Sequence, residues 1–298
     1  MSIFPTKVLL ATDGSQDAEL AASSAVELAK AGASELHVLH VGPGLPIYEL
    51  SDIPARFEEV VAAQGREAQR ILDEQVERIE ASGATVVAAH LEMDERPARA
   101  IVEQGEKLGA GLVVVGSRGR GRIRRALMGS VSDSVVRHAH CPVLVVRGKP
   151  VVFPAKILVA TDGSEEATQA TRVAADVAQR TGSDMQIVTV ALENPNVYAY
   201  YDVRHPAELE RHRQEARKIL DRQVDRAREA GGNVAKAHLK MGAADEEIVL
   251  LAEDLEADLI IMGTRGLGRL RRALIGSISD SVVRHAHCPV LVVRHEKE

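Results

Sequence analysis

The sequence predicts two tandem doubly wound α/β domains, residues 1–148 and 149–298. Three observations carry that reading. Short aliphatic runs alternate with stretches of helical spacing, the order expected when a parallel sheet is crossed by helices on both faces. The chain is also written twice. "KVLLATDGS" at Lys7–Ser15 returns as "KILVATDGS" at Lys156–Ser164, and "GSRGRGRIRRALMGSVSDSVVRHAHCPVLVV" at Gly116–Val146 returns as "GTRGLGRLRRALIGSISDSVVRHAHCPVLVV" at Gly263–Val293. The two repeats are offset by 149 and 147 residues, the length of a domain rather than of a solenoid unit. Third, the 298 residues are 45% hydrophobic but only 2% aromatic. Cores built from Val, Leu, Ile and Ala suit buried parallel strands.

Each element has its own signal. "KVLLAT" is a buried strand. "SQDAELAASSAVELAKAG" has helical spacing, with Ser15 as N-cap and Gly32 as the stop just beyond the end. "LHVLHV" is the second strand, followed by a loop with Pro43, Pro46 and Pro54. From Arg56 to Ser82, Ile71, Leu72, Val76 and Ile79 mark one face of a helix. "TVVAAHLE" is the third strand, Pro97 to Leu108 a helix opened by proline, and "LVVVG" the fourth strand. A glycine-bearing loop leads to a helix over Ser130–His138, and "PVLVV" is the fifth strand. The second half repeats the order, with "RGKPVVFPA", Arg147–Ala155, as a short, stiff linker. Each half is therefore a five-stranded, mainly parallel, Rossmann-like sheet, which binds ligands outside the carboxyl ends of its strands.

The bulk properties narrow the function classes. A net charge of −6 argues against a general nucleic-acid binder, whose affinity rests on neutralising phosphates. No run of 18 apolar residues suggests a membrane span, and the N-terminus lacks a signal-peptide pattern. Cys141 and Cys288 hold equivalent places in the two halves, which fits a reducing cytoplasm rather than a disulfide framework.

Two features fall at carboxyl ends of neighbouring strands: Asp13-Gly14-Ser15, and Gly116-Ser117-Arg118-Gly119. The second runs on to Gly129-Ser130-Val131-Ser132, at a helix N-terminus where free N–H groups and the helix dipole favour an anion, typically phosphate. Gly116, Gly119 and Gly129 would let backbone approach an oxygen closely, with Ser130 and Ser132 adding hydroxyls. The spacing is G-x2-G-x9-G-S. It is no Walker loop, since no Lys follows the last glycine, and no G-x-G-x-x-G dinucleotide fingerprint.

That motif, preceded by "LVVVG", with "ATDGS" near the start and "CPVLVV" at the end, resembles the universal stress protein family over both halves. Members with the full glycine motif bind ATP, so the resemblance implies one ATP site per domain. It places Asp13 and Asp162 beside the adenosine, after Ala11-Thr12 and Ala160-Thr161, and the backbone at Val41 and Val190 against adenine. Gly116, Ser117, Arg118, Gly119, Gly129, Ser130, Val131 and Ser132 would wrap ribose and phosphates. So would Gly263, Thr264, Arg265, Gly266, Gly276, Ser277, Ile278 and Ser279. Two departures from the family pattern, Ala110-Gly111-Leu112 before the fourth strand and "DERPARAI" at Asp94–Ile101, leave the glycine motif untouched.

Asp13 would be repelled by bare triphosphate, so it suits ribose, adenine or a bridging Mg ion; the alternative is that it caps the first helix. The arginines at 118, 120, 122, 124 and 125, echoed at 265, 269, 271 and 272, are read as solvent or interface residues apart from Arg118 and Arg265, which face the nucleotide. "RHAHCP" at Arg137–Pro142 lacks the further ligands a zinc site needs; His138 and His140 would end the helix, and Cys141 would start a buried strand. No nucleophile–base pair is legible, so a regulator or sensor is expected rather than a fast enzyme; the rival is a slow ATPase, or a nucleotidyl- or phosphate-transferring enzyme, using the same pocket. The uncharged strand "VLVV" would pair across the two halves, Val143–Val146 with Val290–Val293, antiparallel about a pseudo-two-fold, and a homodimer could form beyond that.

Overall fold

The computed structural model describes residues 4–44, 55–119, 128–192, 206–266 and 275–294. The tips of the proline loop (Pro46, Pro54) and the arginines at 120, 122, 124, 125, 269, 271 and 272 lie outside these residues. The chain forms two compact units: one is Pro5–Pro150, and the other runs from Val151 and takes in Phe4, whose ring lies 5.4 Å from the Arg180 guanidinium.

In the first unit β1 (Lys7–Thr12), β2 (Glu35–Pro43), β3 (Val86–Asp94), β4 (Leu112–Gly116) and β5 (Val143–Val146) form a parallel array in the order β3-β2-β1-β4-β5. Leu10 pairs in register with Val38 on one side and Val114 on the other, and Val114 with Leu144. The chain winds outward from β1 to β3, then crosses back to β4. The switch point therefore lies between the carboxyl ends of β1 and β4. In the second unit β6 (Lys156–Ala160), β7 (Asp184–Leu192), β8 (Val234–Gly242), β9 (Leu259–Gly263) and β10 (Val290–Val293) take the order β8-β7-β6-β9-β10, with Leu158 opposite Ile260 and Val159 opposite Ile187. The doubly wound α/β fold expected from the alternation and the repeat is the observed one.

The helices are α1 (Gln16–Gly32), α2 (Ala55–Ala81), α3 (Pro97–Leu108) and α4 (Ser130–His138), then α5 (Glu165–Thr181), α6 (Pro206–Glu229), α7 (Ala244–Asp254) and α8 (Ser277–His285). α1 buries Ala18, Ala21, Ala22, Ala25 and Val26, small side chains that let it sit close on the sheet. α2 buries Ala68, Ile71, Leu72, Gln75 and Ile79; three of the four residues its spacing marks are inside, while Val76 is half-buried. Leu9, Leu10, Leu36, Leu39 and Leu144 are fully buried in one core, and Ile157, Leu158, Met185, Ile187 and Ile260 in the other.

The end of α1 differs from the expectation. Gly32 is still helical, and Ala33 takes the left-handed conformation at φ 50°, closed by Ser34 N–H to Ala29 O at 2.9 Å. At the corresponding place after α5 stands Gly182, φ 66°. The glycine of the first unit is one residue early, so an alanine bears the left-handed strain.

Candidate functional site

The turn after β1 is built by side chains that bond their own backbone. Asp13 Oδ1 accepts the Ser15 N–H at 3.0 Å, and Thr12 Oγ1 accepts the Gly14 N–H at 3.2 Å. Ser15 then caps α1, its Oγ accepting from Ala18 N at 3.3 Å. Asp13 is therefore not the cap; its carboxylate turns toward the glycine loop, where a Cβ on Gly119 would collide with Oδ2. The second unit repeats this: Asp162 accepts from Ser164 N at 3.0 Å, Ser164 caps α5, and Gly266 abuts the Asp162 carboxylate.

The Thr12 hydroxyl, buried, donates to Gln75 Oε1 of α2 at 3.0 Å, and the Thr12 carbonyl accepts from His40 Nδ1 at 2.7 Å. These bonds tie the ends of β1 and β2 together, and half-buried Val41 follows His40 directly. In the second unit Thr189 replaces His40, with Val190 next along the strand.

The loop after β4 folds back on itself. Ser117 N–H donates to Val146 O at 2.8 Å, while Ser117 O accepts from Gly129 N at 2.8 Å and Ser132 Oγ at 2.9 Å. This brings Gly129 and α4 onto Ser117 and Arg118. The Ser132 hydroxyl is thereby spent inside the fold, as is Ser279 Oγ on Gly263 O at 2.8 Å. Gly276 N–H likewise donates to Thr264 O at 2.7 Å. Ser130 and Ser277 are exposed at the helix starts, with Val131 half-buried and Ile278 exposed beside them.

The motif glycines have different causes. A Cβ on Gly116 would lie 2.7 Å from the Asp17 carbonyl carbon and 2.9 Å from Ala18 N, and one on Gly263 would lie 2.8 Å from the Glu166 carbonyl carbon. Those glycines let the next helix pack on the strand, rather than opening space for an oxygen. Gly129 and Gly276 are otherwise. Both have φ −75°, ordinary for any residue, and a Cβ there would stand 3.4 Å and 3.3 Å from its nearest neighbour. Neither helix start has a side-chain cap, so no capping side chain satisfies their first N–H groups.

Local charge is balanced. Asp133 in the first turn of α4 is paired with Arg137 at 2.9 Å, and Asp280 with Arg284 at 3.0 Å. His138 ends α4 as expected, its Nδ1 donating to Ser134 O at 2.7 Å; His140 pairs with Glu106, and Cys141 and Cys288 are buried thiols. Among the described residues no three His, Cys, Asp or Glu side chains gather as a metal site. Away from the loop, His37 and His90 stack with ring centroids 5.6 Å apart. Burial, then the His37 and Lys107 charges, hold the His90 pKa below the usual imidazole value; burial does the same for His238 beside Lys236 and Lys240.

Sequence reasoning missed Asp17. Its Oδ2 accepts from Ser117 Oγ at 2.7 Å and from Arg118 N at 3.1 Å. The legible signal was an acidic residue two places after the capping serine in both halves, Asp17 and Glu166.

Two doubly wound units, each with motif glycines after its fourth strand and a helix start without a side-chain cap, define a tandem α/β protein. The chain belongs to the universal stress protein family, whose model matches residues 5–147 and 155–294. It is 33% identical over 188 residues to a universal stress protein of Mycobacterium tuberculosis, a match that covers 61% of this chain and 61% of that relative's length. The crystal structure of a universal stress protein from Archaeoglobus fulgidus is similar with a TM-score of 0.68 at 25% identity, covering 97% of this chain and 96% of that one. A protein from Pseudomonas aeruginosa shares the fold at 20% identity, with a TM-score of 0.67 over 99% of this chain and 94% of its own. Among the described residues no helix is long and apolar enough to cross a membrane.

Proposed function

We propose that each unit holds one adenine nucleotide, ATP, and that the chain acts in the cytoplasm as a stress-response regulator or sensor rather than as a fast enzyme. The observation that carries this reading is the glycine at the start of α4 and of α8. A Ser, Thr, Asp or Asn at an N-cap serves a helix better than glycine, though only by about a few tenths of a kcal/mol. The backbone angles there suit any residue, and a Cβ would meet its nearest neighbour at 3.4 Å on Gly129, an ordinary contact, and at 3.3 Å on Gly276, a slightly tight one. A ligand oxygen drawn to the first-turn N–H groups calls for glycine, because a side chain would stand in its way. The rest of each site follows: Asp13 or Asp162 beside the ribose and adenine, Val41 or Val190 against the base, and Arg118 or Arg265 on the phosphates. Each site has one such aspartate near the loop, which suits Mg, since that ion takes one or two carboxylates with phosphate oxygens completing its shell.

The sequence also supports pairing of the two VLVV strands, and a homodimer beyond it, because neither run carries a charge to blunt an edge. Val145→Asp together with Val292→Asp should separate the halves or cause aggregation.

Titration calorimetry tests the nucleotide reading. Two ATP per chain are expected, with one lost in Gly129→Val and the other in Gly276→Val. Full binding by either variant would place the pocket elsewhere.

A further inference from the structure

The two clefts differ where the glycine loop meets the following helix. In the first unit the Asp17 side chain is 13% exposed, and its Oδ2 accepts from Ser117 Oγ, from Arg118 N–H and, at 3.4 Å, from Arg118 Nε. The Arg118 carbonyl is held from the other side by Ser15 Oγ at 3.2 Å. Arg118 is thus fastened at its backbone and its guanidinium. In the second unit Glu166 stands for Asp17 and Thr264 for Ser117. The bond from Ser164 Oγ to Arg265 O lengthens to 3.4 Å. Arg265 Nε is buried and, among the described residues, has no hydrogen-bond partner.

A buried guanidinium N–H without an acceptor is unfavourable, and the acceptor that restores it gains the full benefit. An anion arriving at the first cleft meets an arginine already bonded to a carboxylate and must displace or share it. Each unit carries two acids in the first turn of this helix, Asp17 and Glu19 in one and Glu165 and Glu166 in the other, so net charge does not separate them. The difference is that Asp17 is bonded to its arginine and loop, while Glu166 leaves its arginine Nε unsatisfied.

Resting on the nucleotide reading above, we infer that the two sites are unequal: the second takes the polyphosphate more tightly, and Asp17 is a positioning residue that holds Arg118 in reserve. The chain then fills in sequence, its second unit at low ATP and its first only at higher ATP. Such a chain reports nucleotide level over a wider range than two equal sites would.

The test uses the full chain and ATP in titration calorimetry. Gly129→Val isolates the second site and Gly276→Val the first. The second should bind on the order of tenfold more tightly, the worth of one hydrogen bond to a charged group. In the Gly276→Val background, Asp17→Asn should tighten the first site while lowering the melting temperature. Those opposite signs set a positioning role apart from a merely structural one, which would weaken both. Asp17→Glu, which copies the second unit, should also tighten the first site, and it carries this arm should the Asn variant not fold. Affinities equal within about twofold, or a first site weakened by both Asp17 substitutions, would overturn the inference. A wild-type chain that binds no ATP overturns the nucleotide reading as well, whereas two equal sites overturn this inference alone.

Discussion

Alanine in place of Gly129, and separately of Gly276, sets the needs of the fold against the needs of a ligand. The added Cβ at Gly129 would lie 3.4 Å from Ser117 O, 3.5 Å from Ser132 Oγ and 3.6 Å from Arg118 Cα, all ordinary contacts. The backbone is at φ −75° and ψ 152°, where alanine is unstrained. Losing glycine at an N-cap costs roughly 0.5–1 kcal/mol, and the stiffer unfolded chain returns about 0.4–1 kcal/mol. The melting temperature of the ligand-free protein should therefore move by no more than about 3 °C. The same methyl sits between Ser117, Arg118 and the first turn of α4, where a phosphate oxygen would approach the N–H groups. Loss of one charge-assisted hydrogen bond, about 1.5–3 kcal/mol, weakens binding at that site by roughly ten- to a hundredfold. Scanning calorimetry without ligand and titration with ATP read the two effects separately. Unchanged affinity in both alanine variants, or a collapse of the ligand-free fold, would refute the reasoning.

Gly116→Ala should behave in the opposite way, destabilising the first unit by about 1–3 kcal/mol in thermal melts, because the Asp17 backbone 2.7 Å from the new Cβ cannot turn aside. Ala33→Gly should stabilise that unit by roughly 0.5–1 kcal/mol, relieving the left-handed alanine at φ 50°; a lowered melting temperature would contradict this. His90 and His238 have pKa values below the ordinary imidazole value of 6.5 in the folded protein, so the unfolded chain binds the extra protons first. Stability should be complete above about pH 6.5 and fall as the pH drops below it; melting curves of His90→Gln should show a shallower fall, and an unchanged slope would remove His90 from the account. Bound ATP should turn over far more slowly than the 1–1000 per second or so of ordinary enzymes; multiple turnover at such rates with Mg would favour the ATPase reading.

The fold was legible because its signals are local and doubled. Aliphatic runs, capping serines and a repeat of domain length set the order of strands and helices along the chain before any contact was known. The boundaries held within a residue or two: α2 starts at Ala55 where Arg56 was expected, and β3 runs on to Asp94 because it stays paired with β2 as far as Pro43. What was not legible depends on contacts between distant segments. Asp17 is a surface-helix residue in the sequence; only folding brings it to Ser117 and Arg118, a hundred positions on. The division of labour among the glycines was hidden for the same reason. Gly116 and Gly129 look alike in a motif, but a Cβ on one would collide with the backbone of α1, while a Cβ on the other would meet only ordinary contacts at 3.4 Å and beyond. Ala33 was missed because a neighbouring glycine offered the commoner helix stop, while the closing hydrogen bond chose the next residue.

The most direct measurement is mass spectrometry of the small molecules released from gently purified protein, followed by titration of the emptied chain with ATP. The account predicts a released adenine nucleotide and two ATP sites per chain, one removed by Gly129→Val and one by Gly276→Val. A chain that releases no nucleotide and gives no binding heat with ATP would contradict it.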